Sequence, residues 1–298
     1  MATTRVAISP MKVAQISKAG GDFEIVERDI PKPSTREVRI KVQACGVCHS
    51  DLFVKEGLWP GIQYPRVPCR NPRVAGISYD GGYQQYMVAP VEALAAIPDT
   101  LSDAEAGPLL CAGVTTFNAL RHSGALPGSL VAVQGIGGLG HLGVQFANKF
   151  GYQVAAIGRG PENATIAKKL GASVYIDSQS SNAAQELQKL GGAQAILATA
   201  PNSKAMSELI EGLAPTGKFM VVGISSDPIA VTPLQLISGE RAIQGSAVGT
   251  PTDSEDTMNF AELTGVRPMI ETYPLEKAGE AYARMMSGKA QFRVVLTM

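Results

Sequence analysis

This 298-residue chain has no excess of positive or negative charge, because its 26 Lys and Arg are balanced by 26 Asp and Glu. The sequence also has no run of like charges. Nucleic acids and anionic membrane surfaces are bound through an excess of basic residues, so neither is an expected partner. We expect the chain to act on a small-molecule substrate.

Long apolar segments are missing as well. No stretch approaches the roughly 20 apolar residues that cross a bilayer, and the opening MATTRVAISPMKVAQISKAG has no apolar core of signal-peptide length. Cysteine is scarce, since the chain has only Cys45, Cys48, Cys69 and Cys111, unlike the disulfide framework of a secreted protein. These absences predict a cytoplasmic protein whose thiols are reduced and available to a metal.

Hydrophobic residues make up 45% of the chain, enough to bury a sizeable core. The first part is irregular and β-rich: VRIKV alternates as a half-buried strand over Val38–Val42, and Gly, Pro and Asp interrupt the chain up to Pro98. Ser102 and Glu105 have the spacing of a capping box, which predicts the start of a helix. This change of pattern predicts a domain boundary near residues 112–120.

Strand-like and helix-like segments alternate along the middle of the chain. Apolar strands separated by helices of about 10 to 15 residues indicate βαβ units and a parallel sheet covered on both faces. The strands are SLVAVQG, QVAAIG, SVYID, AQAILATA and GKFMVVG, and the helices are LGHLGVQFANKFG, NATIAKKLGA, SNAAQELQKLGG and SKAMSELIEGLAP. The predicted fold class is α/β, with a β domain at 1–115, a doubly wound nucleotide-binding domain at 116–250 and a return to the first domain at 251–298.

A glycine loop joins the first of these strands to the first helix. VAVQGIGGLGHLG places Gly135, Gly137 and Gly140 in G-x-G-x-x-G spacing. The first glycine permits a tight turn, the second lets the backbone approach a pyrophosphate, and the third lets helix and strand close together. The helix N-terminus attracts the phosphate charge. We assign cofactor binding to this loop, which also contains Gly138; the alternative is a tight turn that holds no ligand.

The end of the second strand, AAIGRG, indicates which nicotinamide cofactor binds. An NAD site usually has Asp or Glu here to bond the ribose hydroxyls, whereas this chain has Gly158 and Arg159. A small residue followed by a cation leaves room and positive charge for a 2′-phosphate, which favours NADP(H). The alternative is that Arg159 is a solvated surface charge.

A cluster of metal-binding residue types lies near the start of the chain. CGVCHSD supplies Cys45, Cys48 and His49, and Cys111 follows in LLCAGVTTFNAL. Thiolate and imidazole are suitable ligands for zinc. By itself the C-x-x-C spacing is equally typical of a redox pair or of small buried residues, so these readings stay open.

The motifs ACGVCHSD, YPRVP, DGGYQQYMVAP, LLCAGVTTFNAL, GIGGLGHLGVQFA and GKAQFRVVLTM follow one another along the chain. In this combination the chain resembles, over almost its whole length, the zinc-containing alcohol dehydrogenase branch of the medium-chain dehydrogenase/reductase family. The resemblance implies a GroES-like catalytic domain and a Rossmann domain, with the active site in the cleft between them. It also implies hydride transfer between NADP(H) and an alcohol or its aldehyde or ketone.

The same resemblance implies roles for individual residues. Cys48 and Cys111 match the two thiolate ligands of the catalytic zinc, and Ser50 matches the start of a proton relay that His49 extends. The remaining matches are to the nicotinamide surroundings (Thr115, Leu139, Val222, Ala247 and Val248), the pyrophosphate (Arg293) and the substrate pocket wall (Trp59). Without the resemblance, His49 and Ser50 are ordinary loop residues and Trp59 is core. We expect His122 and His141 to be surface or packing residues and Cys45 to be only buried.

The chain departs from the family after YPRVP. The family continues with Gly-His-Glu, whose His is the third zinc ligand, and then with a lobe that holds a structural zinc on four cysteines. Here Pro68 is followed directly by CRNPRVAGISYDGGY, so that Cys69 resembles the last cysteine of that lobe, and Arg70 and Asn71 stand where His and Glu are expected. A guanidinium cannot ligate zinc and an amide is a poor ligand.

Several expectations follow from this departure. A structural zinc is not expected, and the catalytic zinc has an incomplete ligand set unless Cys69 or His49 completes it. A shortened barrel exposes edges and apolar surface, which favours a homodimer. The functional alternatives are a zinc-independent reductase of enones or quinones, and a degenerate cofactor-binding protein without catalysis.

Overall fold

A computed structural model describes residues 10–68 and 79–298. The chain divides into two compact units. The first unit contains the residues up to Cys111 together with Thr250–Met258 and Met269–Met298, and the second contains Ala112–Gly249 and Asn259–Pro268. The sequence prediction set the boundary after residue 115 and gave the second domain no part of the tail. Cys69, Arg70 and Asn71 lie outside the described residues.

Most of the elements are short and alternate along the chain. The strands are Met11–Ile16 (β1), Phe23–Arg28 (β2), Glu37–Lys41 (β3), Ala44–Val47 (β4), Tyr86–Pro90 (β5), Leu130–Gln134 (β6), Gln153–Gly158 (β7), Val174–Asp177 (β8), Ala193–Ala198 (β9), Leu213–Val221 (β10), Ala242–Gly245 (β11), Ile270–Pro274 (β12) and Arg293–Thr297 (β13). The α-helices are Asp51–Lys55 (α1), Asp103–Pro108 (α2), Val114–Arg121 (α3), Gly140–Lys149 (α4), Asn163–Lys169 (α5), Ala183–Lys189 (α6), Ser203–Leu209 (α7), Pro233–Ile237 (α8), Pro251–Thr264 (α9) and Ala278–Met286 (α10).

The second unit is built on a six-stranded parallel sheet with the order β11-β10-β9-β6-β7-β8. Counted from β6, this is the strand order 3-2-1-4-5-6 of the doubly wound dinucleotide-binding fold. The strands are buried on both faces, as in LVAVQ of β6 and QVAAIG of β7, because helices cover a parallel sheet on each side. The predicted α/β class and doubly wound sheet are confirmed.

The first unit is β-rich, as predicted. β1 pairs with β2, β3 with β5, and β13 lies between β12 and β4. Its core contains side chains from distant parts of the chain, including Val13, Val47, Tyr83 and Leu296. The C-terminal segment therefore returns to the first unit, where β13 pairs with the strand that leads to the CGVCHSD motif. No helix in the described residues has the length and hydropathy to cross a membrane.

The helix that leads to Cys111 begins as the sequence predicts. Ser102 accepts a hydrogen bond from the Glu105 backbone N–H, and the Glu105 carboxylate accepts one from the Ser102 backbone N–H at 3.0 Å, a capping box. A π-helical turn, Leu109–Gly113, then follows α2 and carries Cys111. Turns of this type occur often at functional sites.

The capping box makes a direct prediction for stability. We expect Ser102→Ala to lower the free energy of unfolding by about 1 kcal/mol, because the Glu105 backbone N–H at the helix start loses its side-chain acceptor. For a protein of this size, this corresponds to a fall in Tm of roughly 2–4 °C. Ser102→Thr retains the hydroxyl and serves as the control. A Tm for Ser102→Ala equal to that of the parent chain contradicts the prediction.

Candidate active site

A cavity of about 350 Å³ lies in the second unit at the carboxyl ends of its parallel strands. Its lining includes Gln134 to Gly137 at the end of β6, Gly158 and Arg159 at the end of β7, Ser178 and Ser181 after β8, and Ala200 and Asn202 after β9. Ligands of open parallel sheets bind at this edge, where the strand order reverses. The glycine loop and Arg159, both predicted from the sequence, therefore line one cavity.

Each glycine of the loop is required for a different local reason. Gly135 has φ +90°, which an L side chain rarely adopts. A Cβ on Gly140 would lie 1.7 Å from the Gly135 carbonyl oxygen, so α4 and the loop touch there through their backbones. A Cβ on Gly137 would meet nothing within 4 Å, and Gly137 is exposed at the cavity. This open space beside the start of α4 suits the phosphates of a dinucleotide.

His141 holds the same loop from the helix side. It is fully buried, and its Nδ1 lies 3.0 Å from the Gly137 carbonyl oxygen. His122 ends α3 and is exposed. His141 thus has a packing position and His122 a surface one, in line with the expectation from the sequence.

Arg159 lies on a loop that its neighbours fix in place. The Tyr175 hydroxyl donates to the Gly160 carbonyl oxygen at 2.5 Å, and the Gly160 N–H donates to the Asp177 carboxylate at 2.8 Å. Backbone N–H groups of Gln179 and Gly160 hold the pKa of Asp177 below its usual value. The Arg159 side chain itself is exposed and lines the cavity, a suitable position for contact with a ligand phosphate.

The sequence reasoning missed several residues that line the cavity. Asn163, Ser178, Ser181 and Asn202 are polar side chains that follow β7, β8 and β9. Their positions after the predicted strands could have indicated them, because the carboxyl ends of parallel strands meet at one edge of the sheet. Gln134 also lines the cavity, and its buried Oε1 has no hydrogen-bond partner in the described residues. Such an acceptor is suited to a ligand donor.

Other residues predicted to contact the nicotinamide lie in the second unit outside this cavity lining. Thr115 is buried on α3, and Leu139 precedes α4 as its N-cap residue. Val222 follows β10, and its N–H donates to the Ala198 carbonyl oxygen. Ala247 is exposed, and the Val248 carbonyl oxygen accepts from the Asn118 side chain at 3.0 Å.

The first unit brings together two thiols that the sequence places 63 positions apart. Cys48 lies between β4 and α1, and Cys111 lies in the π-helical turn. Their sulfur atoms are 3.5 Å apart, and both side chains are half-buried. Cys45, in contrast, is buried within β4, as predicted.

Charged groups surround this thiol pair. A hydrogen bond from Cys111 lowers the pKa of Cys48 well below its usual range, and the Arg293 guanidinium adds to this against the effect of burial. Burial raises the pKa of Asp51 to about 7, and the negative charge of Cys48 adds to the shift. The Asp51 carboxylate accepts hydrogen bonds from the Cys48 backbone N–H at 2.9 Å and from the Tyr83 hydroxyl at 2.8 Å.

Arg293 is fully enclosed in the first unit. It is 5% exposed and donates to the Val47 carbonyl oxygen at 3.1 Å, while its Nε has no hydrogen-bond partner among the described residues. Burial works to lower the pKa of Arg293, but the charges on Cys48 and Cys111 raise it above its usual value. The role implied by the resemblance was contact with the pyrophosphate, whereas the described contacts of Arg293 are with the thiol site.

The remaining predicted residues of the first unit flank the thiols in sequence. Ser50 is the residue before α1, and its buried hydroxyl lies beside the Cys48 thiol, whose pKa it helps to lower. His49 is exposed. Trp59 is 42% exposed, so the alternative interpretation of Trp59 as a core residue is wrong.

The donor set of the thiol site decides whether it fits a zinc ion. A catalytic zinc requires three protein ligands and an open position. Within residues 10–68 and 79–298, no group of three His, Cys, Asp or Glu side chains is arranged to hold a metal. The two thiols are suitable donors, but the described residues do not complete a zinc site, and we derive no reaction step through a metal.

Comparison with known proteins places the chain in a family. The zinc-binding dehydrogenase family matches residues 138–263. Alcohol dehydrogenase patD of Penicillium expansum is 39% identical, with 97% of this chain and 98% of that protein covered. An alcohol dehydrogenase of Geobacillus stearothermophilus is 33% identical over 97% of this chain and 99% of its own length. The chain belongs to the alcohol dehydrogenase branch of the medium-chain dehydrogenase/reductase family.

Solved structures share the fold. A cinnamyl alcohol dehydrogenase from Sorghum bicolor is 24% identical and superposes with a TM-score of 0.85, with 97% of each chain covered. Acetophenone reductase from Geotrichum candidum, solved in complex with NAD, is 22% identical with a TM-score of 0.85 and 98% of each chain covered. These likenesses confirm the predicted combination of a Rossmann and a GroES-like domain.

Proposed function

We propose that this protein is an NADP(H)-dependent oxidoreductase that interconverts an alcohol and an aldehyde or ketone by hydride transfer. The observation that carries the proposal is the cavity at the carboxyl ends of the parallel strands, which the glycine loop and Arg159 line together. The names of the relatives support the alcohol and carbonyl chemistry, since the Penicillium and Geobacillus proteins are both alcohol dehydrogenases.

In this proposal the second unit binds and orients the cofactor. The backbone at Gly137 leaves room for the pyrophosphate at the start of α4, and Gly135 provides the turn that brings the chain there. When bound, the nicotinamide cofactor supplies or accepts the hydride. By analogy with the family, five residues are proposed to pack near its nicotinamide ring: Thr115, Leu139, Val222, Ala247 and Val248.

The preference for NADP(H) rests on the loop after β7. Arg159 is exposed at the cavity and forms no ion pair with any described residue. The Ser178 and Ser181 hydroxyls lie on the same lining, but they donate to the carbonyl oxygens of Gly158 at 2.9 Å and Asp177 at 3.0 Å, so the preference rests on Arg159. A guanidinium provides charge-assisted hydrogen bonds for a phosphate.

In the first unit, Ser50 and His49 are proposed to pass the proton of the alcohol. The position of Ser50 supports this role, because its buried hydroxyl lies beside Cys48 and interacts with that thiol. His49 is exposed, so the relay would end at a side chain in contact with solvent. Trp59 is proposed as a wall of the substrate pocket.

A second candidate is a zinc-independent reductase of enones or quinones, in which hydrogen-bond donors stabilise the developing oxyanion. The two-thiol site, which lacks a third ligand among the described residues, favours it. The match to the Penicillium protein spans 336 positions, more than the 298 residues of this chain, so that relative has residues that this chain lacks.

Turnover assays separate these candidates. We expect purified protein to oxidise NADPH with a panel of aldehydes and ketones, and the assay is repeated with enones and with a zinc chelator. Turnover of aldehydes that the chelator abolishes and added Zn²⁺ restores supports the alcohol dehydrogenase with zinc. Turnover unaffected by the chelator supports the zinc-independent reductase. Binding of NADPH without turnover of any carbonyl contradicts both and supports a cofactor-binding protein.

The homodimer and the cytoplasmic location remain predictions from the sequence.

A further inference from the structure

The geometry of the thiol pair, Cys48 and Cys111, suits a reaction other than metal binding. The Cys48 and Cys111 sulfur atoms are 3.5 Å apart, so a disulfide at about 2.0 Å requires them to approach by roughly 1.5 Å. Both side chains are half-buried, which leaves them within reach of small oxidants. The described residues supply no third metal ligand to occupy the pair.

We propose that Cys48 and Cys111 form a reversible disulfide on oxidation by a peroxide. This inference goes beyond the proposed function and does not depend on it. Cys48 and Cys111 would then be a redox modification site, whereas the family resemblance implies only that they are metal ligands.

The chemistry follows from the arrangement of the two sulfur atoms. The Cys48 thiolate attacks one oxygen of hydrogen peroxide, the O–O bond breaks, and Cys48 becomes a sulfenic acid as hydroxide leaves. The Cys111 sulfur then attacks the Cys48 sulfur, its proton and the sulfenic hydroxyl leave as water, and the S–S bond forms. Two thiols are oxidised and one peroxide is reduced to two waters. A dithiol reverses the reaction by exchange.

Position distinguishes the pair from Cys45. The sulfur atoms of Cys48 and Cys111 lie 3.5 Å apart, and both side chains are half-buried. Partly accessible cysteines react with oxidants, whereas buried cysteines are inert. Cys45 is 4% exposed and lies only three positions away, so it provides a matched control in the same chain.

The test measures connectivity rather than activity. Full-length protein is reduced, freed of reductant and treated with hydrogen peroxide, and its metal content is measured beforehand. Peptide mapping by mass spectrometry without reduction is expected to find a Cys48–Cys111 cross-link, with a mass lower by two hydrogen atoms than the two thiol peptides together. Dithiothreitol is expected to restore both thiols.

Cysteine variants identify the partners. Cys45→Ala and Cys69→Ser are expected to form the cross-link to the same extent as the parent chain, whereas Cys48→Ser and Cys111→Ser do not form it. Three results overturn the proposal: the parent chain gives no Cys48–Cys111 cross-link, Cys48 links instead to Cys69, or the purified protein carries one metal ion per chain that protects both thiols. Because the parent chain alone decides each of these results, a variant that fails to fold does not affect the test.

Discussion

Gly140→Ala is expected to destabilise the second unit by about 3 kcal/mol, at the upper end of what overpacking usually costs. The added Cβ would lie 1.7 Å from the Gly135 carbonyl oxygen and 2.8 Å from its carbonyl carbon. Both atoms belong to the backbone, so no side-chain rotation relieves the clash and α4 must move away from the loop. At roughly 2–4 °C per kcal/mol, thermal unfolding should show a fall in Tm of about 10 °C.

Gly137→Ala is the matched control and separates stability from binding. Its Cβ would meet nothing within 4 Å, so the Tm is expected to stay within about 1 °C of the parent value. The same methyl group faces the space assigned to the pyrophosphate, so NADPH affinity is expected to fall at least about tenfold. Unchanged NADPH affinity in Gly137→Ala contradicts the assignment of the cavity, and an unchanged Tm in Gly140→Ala contradicts the packing argument.

Arg159→Ala is expected to weaken NADPH binding by about 10- to 100-fold, because a hydrogen bond to a charged group contributes about 1.5–3 kcal/mol. NADH has no 2′-phosphate, so its affinity is expected to change less than about twofold. Fluorescence titration with each cofactor measures both constants.

Two further variants control for charge in this experiment. Lys168→Ala removes a cation from α5 that does not line the cavity, and it is expected to leave both affinities unchanged. Arg159→Lys retains the charge without the planar guanidinium and is expected to lose less NADPH affinity than Arg159→Ala. Equal losses for NADPH and NADH in Arg159→Ala, or tighter binding of NADH by the parent chain, contradict the preference for NADP(H).

Local patterns predicted the second unit because its elements depend on local physical chemistry. The βαβ alternation follows from apolar strands buried on both faces and from amphipathic helices, and QVAAIG forms a strand over the same residues, Gln153–Gly158. The capping box at Ser102 and the glycine loop each need only a few adjacent residues. The family motifs likewise lie in continuous stretches, which is why the resemblance was visible without the structure.

The sequence by itself determined the α/β class, the family and the glycine loop of the cofactor site. Only the tertiary structure decided which of the chemistry-bearing residues meet. Cys48 and Cys111 are 63 positions apart, and Arg293 donates to a carbonyl oxygen 246 positions away. Such pairs are set by strand pairing and by the burial of a shared core, which no local pattern encodes. The low pKa of Cys48 follows from its hydrogen bond with Cys111 and the charge of Arg293, and the raised pKa of Asp51 follows from burial. These partners meet, and desolvation acts, only after the chain has folded.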